Sequence, residues 1–168
     1  SSMAEIVLMR HGHALSPREA GVLSDSERPL SPLGEKEALE TSLHLNASGF
    51  VPDFIISSPF LRAGRTAAIA AGIFPSAPLK TDPALSDGQL QALLELILRL
   101  STGESSALLV GHQPLIGAGA GFLLGMNNFD LPPAGFVRIK SAKEPGFSSL
   151  VEFYVPPQPE KKDGGGGS

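Results

Sequence analysis

The apolar run Ile6-Val7-Leu8-Met9 stops abruptly at Arg10-His11-Gly12-His13. Four apolar residues in a row read as a strand buried on both faces, inside a sheet covered from two sides. In α/β folds ligands bind at the carboxyl ends of such strands. Whatever ends this strand is therefore delivered to the place where chemistry is expected. Arg10 can grip phosphoryl oxygens in a planar fork. His11 can serve as nucleophile or as acid and base. Gly12 lets the backbone turn sharply and a ligand come close. Taken alone, the tripeptide reads equally well as a structural histidine at a strand end.

The pattern recurs. Ala107-Leu108-Leu109-Val110 is a second buried strand, and it ends in Gly111-His112-Gln113-Pro114 before a helix over 115–124. Between the two runs, Ser31-Pro32 marks a helix start, with Ser at the N-cap and Pro at the first helical position. Leu39, Leu43 and Ala47 recur there at helical spacing, and Gly49 reads as the stop. A short strand over 54–57 is broken by Pro59. Phe60-Leu61-Arg62-Ala63 then opens an Ala-rich helix that runs to about Phe74. Arg62 in a first helical turn opposes the helix dipole unless an anion joins it there. A further short strand is expected over 79–85. Leu90, Leu93, Leu94, Ile97 and Leu100 form a core-facing helical stripe. Gly117, Gly121 and Gly125 read as a ridge of small residues packed on the sheet. Two late strands, over 136–139 and 150–155, are joined by a turn at Glu144-Pro145-Gly146.

Residues 14–30 show no period, and a connection of that length tends to be functional. It carries Arg18, read as solvated, and Arg28. Strands alternating with helices predict an α/β fold, a single-domain three-layer α/β/α sandwich with a mostly parallel sheet and the last strands at its edge. The domain is expected over 4–157, followed by a flexible 158–168 tail that ends in a Gly/Ser linker. Ser1-Ser2 ahead of Met3 reads as a tag remnant.

Composition removes several functions. With 42% hydrophobic and 18% charged residues the chain has the balance of a globular domain. A net charge of −4 argues against a nucleic-acid partner, so any anion site must come from clustered arginines. The absence of cysteine excludes disulfides, thiolate zinc sites and cysteine-nucleophile phosphatase chemistry. No apolar stretch approaches the roughly 18–20 residues that span a bilayer, and no signal peptide is visible. A cytoplasmic location without a membrane partner is expected. No carboxylate cluster suited to a metal is evident, so neither metal nor cofactor is expected.

Four pieces now stand in order: Leu8-Met9-Arg10-His11-Gly12; Arg28-Pro29-Leu30-Ser31 with Gly34; Ser58-Pro59-Phe60-Leu61-Arg62-Ala63 with Thr66; and Gly111-His112-Gln113-Pro114-Leu115. Together they resemble the histidine phosphatase superfamily, with its phosphoglycerate-mutase-like fold, and within it the small phosphohistidine phosphatases of the SixA type. The resemblance implies His11 as nucleophile, Arg10 and Arg62 as phosphate-binding arginines, His112 as the second pocket histidine and Arg28 as a pocket residue. Gly12 and Ser58 fall beside them as substrate-binding residues. It implies hydrolysis by two in-line displacements through a phosphorylated His11, with the cations supplied by the protein.

The departures from the family pattern carry chemical meaning. Larger relatives bring a carboxylic acid to protonate the leaving oxygen. The matching stretch here is Asp82-Pro83-Ala84-Leu85-Ser86-Asp87-Gly88, with Ala84 near the expected position. Asp87 is the nearest candidate acid, although an Asp before Gly is first of all a turn residue. An alkoxide needs that proton; an imidazole, whose conjugate acid has a pKa of about 6.5, does not. The expected substrate is therefore phosphohistidine on a protein, such as a His-containing phosphotransfer domain, with phosphate or its analogues occupying the same pocket. The alternatives are a broad small-molecule phosphomonoesterase and a non-catalytic phosphate-binding module. His13 is read as tuning the pocket or as surface, Arg65 as added positive potential or an ion-pair partner, and His44 as structural or solvated.

Overall fold

A computed structural model describes residues 4–86, 88–144 and 146–158. Asp87, Pro145, the Ser1-Ser2 remnant and nearly all of the expected tail lie outside the described residues. The opening run forms β1, Glu5–Arg10, near the middle of a six-stranded sheet. The other strands are β2 (Phe54–Ser57), β3 (Leu79–Thr81), β4 (Ala107–Gly111), β5 (Phe136–Lys140) and β6 (Ser149–Tyr154). Their spatial order is β3-β2-β4-β1-β5-β6. β1 pairs parallel to β4, β4 to β2 and β2 to β3, while β5 and β6 are antiparallel, as expected of the late strands.

Because strand side chains alternate between faces, β1 feeds two cores. Ile6 and Leu8 join Leu93, Ile97, Ile116 and Leu109 on the side covered by α4 (Leu90–Thr102) and α5 (Leu115–Leu124). Val7 and Met9 join Leu45, Ala63, Ala67 and Ala70 on the side covered by α2 (Pro32–Ala47) and α3 (Leu61–Ile73). The alanines of α3 let it lie close to the sheet, which sets Arg62 in its first turn beside the end of β1.

Three expectations about local structure need correction. The α2 helix starts at the expected cap, where Ser31 Oγ accepts from Gly34 N at 3.1 Å. Its Leu39 and Leu43, however, are exposed, and the buried face carries Glu37, Thr41 and Ser42. Those polar groups have partners: Thr41 donates to the Ala134 carbonyl across the fold, Ser42 to that of Ala38 within the helix, and Glu37 accepts from His13 N. The glycines of α5 do not pack on the sheet. A Cβ on Gly117 would sit 2.0 Å from the Phe129 carbonyl and one on Gly121 2.7 Å from that of Asn127, so the ridge receives the loop after the helix. Gly125 is the left-handed C-cap. The 14–30 connection is not featureless either. It holds a short helix α1, Pro17–Ala20, with a capping box between Ser16 and Glu19, and a 3-10 turn at Asp25–Glu27. The short strand expected within 79–85 is β3, and a 3-10 turn at Pro83–Leu85 follows it.

Candidate active site

β1 and β4 end side by side, with Arg10 in register with Gly111, and this brings His11 and His112 to one edge of the sheet. Their ring centroids lie 5.1 Å apart. Arg62 arrives from the first turn of α3 and Arg28 from the 14–30 connection. Arg10, His11, His13, Arg28, Arg62 and His112 all line one cavity of about 260 Å³. A larger cleft between α4 and α5, about 470 Å³, is lined chiefly by apolar residues such as Leu94 and Phe122 and lies apart from these groups.

The state of His11 follows from its partners. Its Nδ1 lies 2.7 Å from the Gly12 carbonyl oxygen. A carbonyl can only accept, so Nδ1 carries the proton. Burial pushes the pKa of the ring down to about 3, against the pull of the Gly12 carbonyl, and the cations Arg62 and Arg10 add to the depression, as does His112 once it is protonated at low pH. At neutral pH the ring is therefore uncharged and Nε2 keeps its lone pair, which accepts from Arg62 Nε at 3.2 Å. This is an imidazole able to attack an electrophile.

His112 is also held neutral. Burial, then Arg62, push its pKa down to about 4, with Asp25 opposing. Its Nε2 is 2.8 Å from Ser58 Oγ, which in turn accepts from Phe60 N. Phe60 stacks edge-on against His112 and lies under the Arg62 guanidinium. Arg10 donates from Nη1 to the Leu131 carbonyl at 2.9 Å, and its buried Nε has no protein partner. Burial lowers its pKa while Asp130 and Glu37 raise it. The pocket thus sets cationic donors around a neutral nucleophile, an arrangement that can hold and stabilise a tetrahedral oxyanion.

Residues 6–93 match the family model of the histidine phosphatase superfamily, branch 1. The chain belongs to the histidine phosphatase superfamily. An uncharacterized protein of Picosynechococcus sp. is 32% identical over 142 residues, covering 82% of this chain and 85% of that protein. An uncharacterized protein of Mycobacterium tuberculosis is 29% identical over 163 residues, covering 88% and 99%. The fold is also that of the protein histidine phosphatase SixA solved with tungstate, at a TM-score of 0.81, 24% identity, and 90% and 97% coverage. A mycobacterial glucosyl-3-phosphoglycerate phosphatase has the same fold at a TM-score of 0.70 and 16% identity, covering 90% of this chain and 99% of that one.

In this member of the superfamily the structure brings His11, Arg10, Arg62, His112 and Arg28 together around the cavity. Two residues expected to touch substrate lie elsewhere. Ser58 is fully buried behind His112 and supports that ring. Gly12 donates from its N–H to Thr66 Oγ1 at 3.1 Å, and a Cβ there would sit 2.6 Å from the Gly34 carbonyl. Its lack of a side chain admits the first turn of α2, not a ligand. Gly34 answers in kind, since its own Cβ would fall 2.0 Å from the His13 carbonyl. His13 stands on the cavity wall with Nδ1 2.6 Å from Ser31 Oγ. Arg65 is taken by Glu35 on the surface, and Arg18 is exposed. His44 stacks on Tyr154 and bonds Glu152, joining α2 to β6.

Sequence reasoning missed Asp25, Gln113 and Pro133, all of which lie at or against the pocket. Asp25 had one available signal, its place three residues before Arg28. Ala84 is buried, and Asp82 caps its own turn and faces Arg99 across a different cavity. Among the described residues no carboxylate lines the His11 cavity. No helix among them is long and apolar enough to cross a membrane.

Proposed function

We propose that the chain is a phosphohistidine phosphatase that acts on a protein through a phosphorylated His11. Nε2 attacks phosphorus in line as the substrate's N–P bond breaks. With its other ring nitrogen protonated, the departing ring leaves as neutral imidazole. Water then attacks the phosphorus on His11, releasing inorganic phosphate and restoring the free imidazole. Arg10, Arg62 and Arg28 neutralise the equatorial oxygens, where most of the catalysis of phosphoryl transfer lies. His112 contributes as a neutral imidazole on the pocket wall, its ring held in place by Ser58.

The observation that carries the substrate class is the lack of a carboxylic acid on the described cavity wall. Asp25, which bonds two of the pocket arginines, is held below its usual pKa by Arg28 and Arg62, so it stays ionised and has no proton to give. A leaving group that departs without external protonation suits such a site. The fold shared with the protein histidine phosphatase SixA supports the same reading, and a partner bearing phosphohistidine, such as a phosphotransfer domain, is the substrate we assign.

The test is side-by-side hydrolysis of a phosphohistidine-bearing phosphotransfer domain and of p-nitrophenyl phosphate. A missing general acid costs an ester about 10²–10⁴-fold, so kcat/KM for phosphohistidine is expected to exceed that for the ester by at least about 100-fold. Faster ester turnover would instead assign the chain to small-molecule phosphomonoesterases, with Asp87 as the acid to test. Tungstate binding without turnover of either would leave a phosphate-binding module.

A further inference from the structure

Asp25 sits on the 3-10 turn of the 14–30 connection and reaches two pocket arginines at once. Its Oδ2 accepts from Arg62 Nη2 at 3.0 Å and its backbone carbonyl from Arg62 Nη1 at 2.7 Å. Its Oδ1 accepts from Arg28 Nη1 at 3.0 Å. Arg62 Nε meanwhile donates to His11 Nε2. All three nitrogens of this guanidinium therefore have a stated partner: the two terminal ones hold Asp25, and the inner one holds the nucleophile.

A guanidinium is planar and rigid, so whatever fixes its terminal nitrogens also fixes the direction of Nε–H. An untethered Arg side chain has several rotamers to lose when it is fixed on a ligand. Asp25 removes that freedom before substrate arrives. Each terminal nitrogen still keeps a second hydrogen for a phosphoryl oxygen.

We propose that Asp25 is a positioning residue that acts at His11 through Arg62, tethering the guanidinium beside Nε2 so that its inner N–H orients the free ring and passes to a phosphoryl oxygen as Nε2 attacks, and tying Arg28 to the same mount. This rests on the reading of His11 as phosphoryl acceptor. The rival idea is a plug, a carboxylate standing in for substrate phosphate. The cavity argues otherwise, because it is open while Asp25 holds both arginines, and its walls are Arg10, His11, Arg28, Arg62 and His112 rather than Asp25. The Asp25 side chain is 59% exposed, at the outer ends of the guanidinium groups. Solvent screens so exposed a charge, which leaves geometry as its contribution.

The experiment compares Asp25→Ala and Asp25→Asn, each in the wild-type and the Arg62→Ala background. Three readouts are taken: single-turnover loss of phosphohistidine, calorimetric tungstate binding, and the ¹⁵N resonance of His11 Nε2. Misplacement of about 1 Å can cost about 10²-fold, so Asp25→Ala is expected to slow phosphoryl transfer by about 10–100-fold. KM should move by less than about threefold, since the loss falls on the transition state. Asp25→Asn, which keeps an oxygen for Arg62 Nη2, should recover part of the rate. In the Arg62→Ala background Asp25→Ala should cost much less than in the wild type, no more than the part carried through Arg28. The Nε2 resonance should shift toward that of an imidazole nitrogen without a hydrogen bond. Tighter tungstate binding with an unchanged or faster rate overturns the proposal in favour of a plug. Equal losses in both backgrounds overturn it in favour of a role independent of Arg62. If the wild type turns over no phosphohistidine, the functional reading fails, and the resonance and tungstate data still decide whether Asp25 mounts Arg62.

Discussion

A His11→Ala variant is expected to lose at least about 10³-fold in turnover and to retain no acid-labile phosphoryl group, because removal of a nucleophile leaves only binding and electrostatic stabilisation. The pocket offers no obvious substitute. The other two imidazoles on the cavity wall are tied to neighbouring hydroxyls, His112 through Nε2 to Ser58 Oγ and His13 through Nδ1 to Ser31 Oγ, and the His112 centroid lies 5.1 Å from that of His11. The fold should survive, since the sheet registers of β1 with β4 and β5 are made by the backbone up to Arg10. Labelling with ³²P-phosphohistidine protein followed by acid and alkaline quench checks the prediction. Label retained in the variant would move the acceptor to another residue.

The same variant has a second readout in stability against pH. A histidine in the unfolded chain titrates near 6.5, whereas folded His11 is pushed down to about 3 and His112 to about 4. As pH falls below about 6.5 the unfolded chain takes up protons that the folded pocket refuses until near those lower values. Stability must therefore fall with pH across that window, since the unfolded state binds more protons there. The melting temperature of the wild type is expected to drop between pH 7 and pH 4, and His11→Ala should flatten the drop. Parallel slopes for the two proteins would mean that His11 is not held neutral by the fold.

Much of this pocket could be read from the chain because it is built where strands end and helices begin, and those boundaries leave local marks. The apolar runs at 6–9 and 107–110 located β1 and β4, and their parallel pairing brings the two histidines together. Ser31-Pro32 and Pro59 marked the starts of α2 and α3. Contacts made across the fold left no such mark. Leu39 and Leu43 have helical spacing yet face outward, because the inner face of α2 must meet the polar backbone around Ala134 and His13. The glycine spacing of α5 told of a close approach but not of which segment approaches. Asp25 is the clearest case. It is an acidic residue in an aperiodic connection, and its partner Arg62 lies 37 residues further along the chain. Only the docking of that connection on α3 gives it a task.

Arg62→Ala should carry the largest effect on anion binding. The Arg62 residue is 6% exposed and is the point where nucleophile, second histidine and tether meet. It donates to His11, holds Asp25 with both terminal nitrogens and caps the Phe60 ring that packs against His112. Hydrogen bonds to charged groups are each worth about 1.5–3 kcal/mol, so the loss of even one contact to the anion predicts a rise in tungstate Kd of about 10–100-fold. Because Arg62 must also hold the equatorial oxygens in line with His11 Nε2 in the transition state, kcat should fall further, by about 10²–10³-fold. Arg62→Lys separates charge from geometry. It keeps the cation but cannot hold Asp25 with two nitrogens and reach His11 with a third, so it should restore part of the tungstate affinity and little of the rate. Full recovery by lysine would reduce Arg62 to a point charge, and an unchanged tungstate Kd in Arg62→Ala would remove it from the anion site altogether.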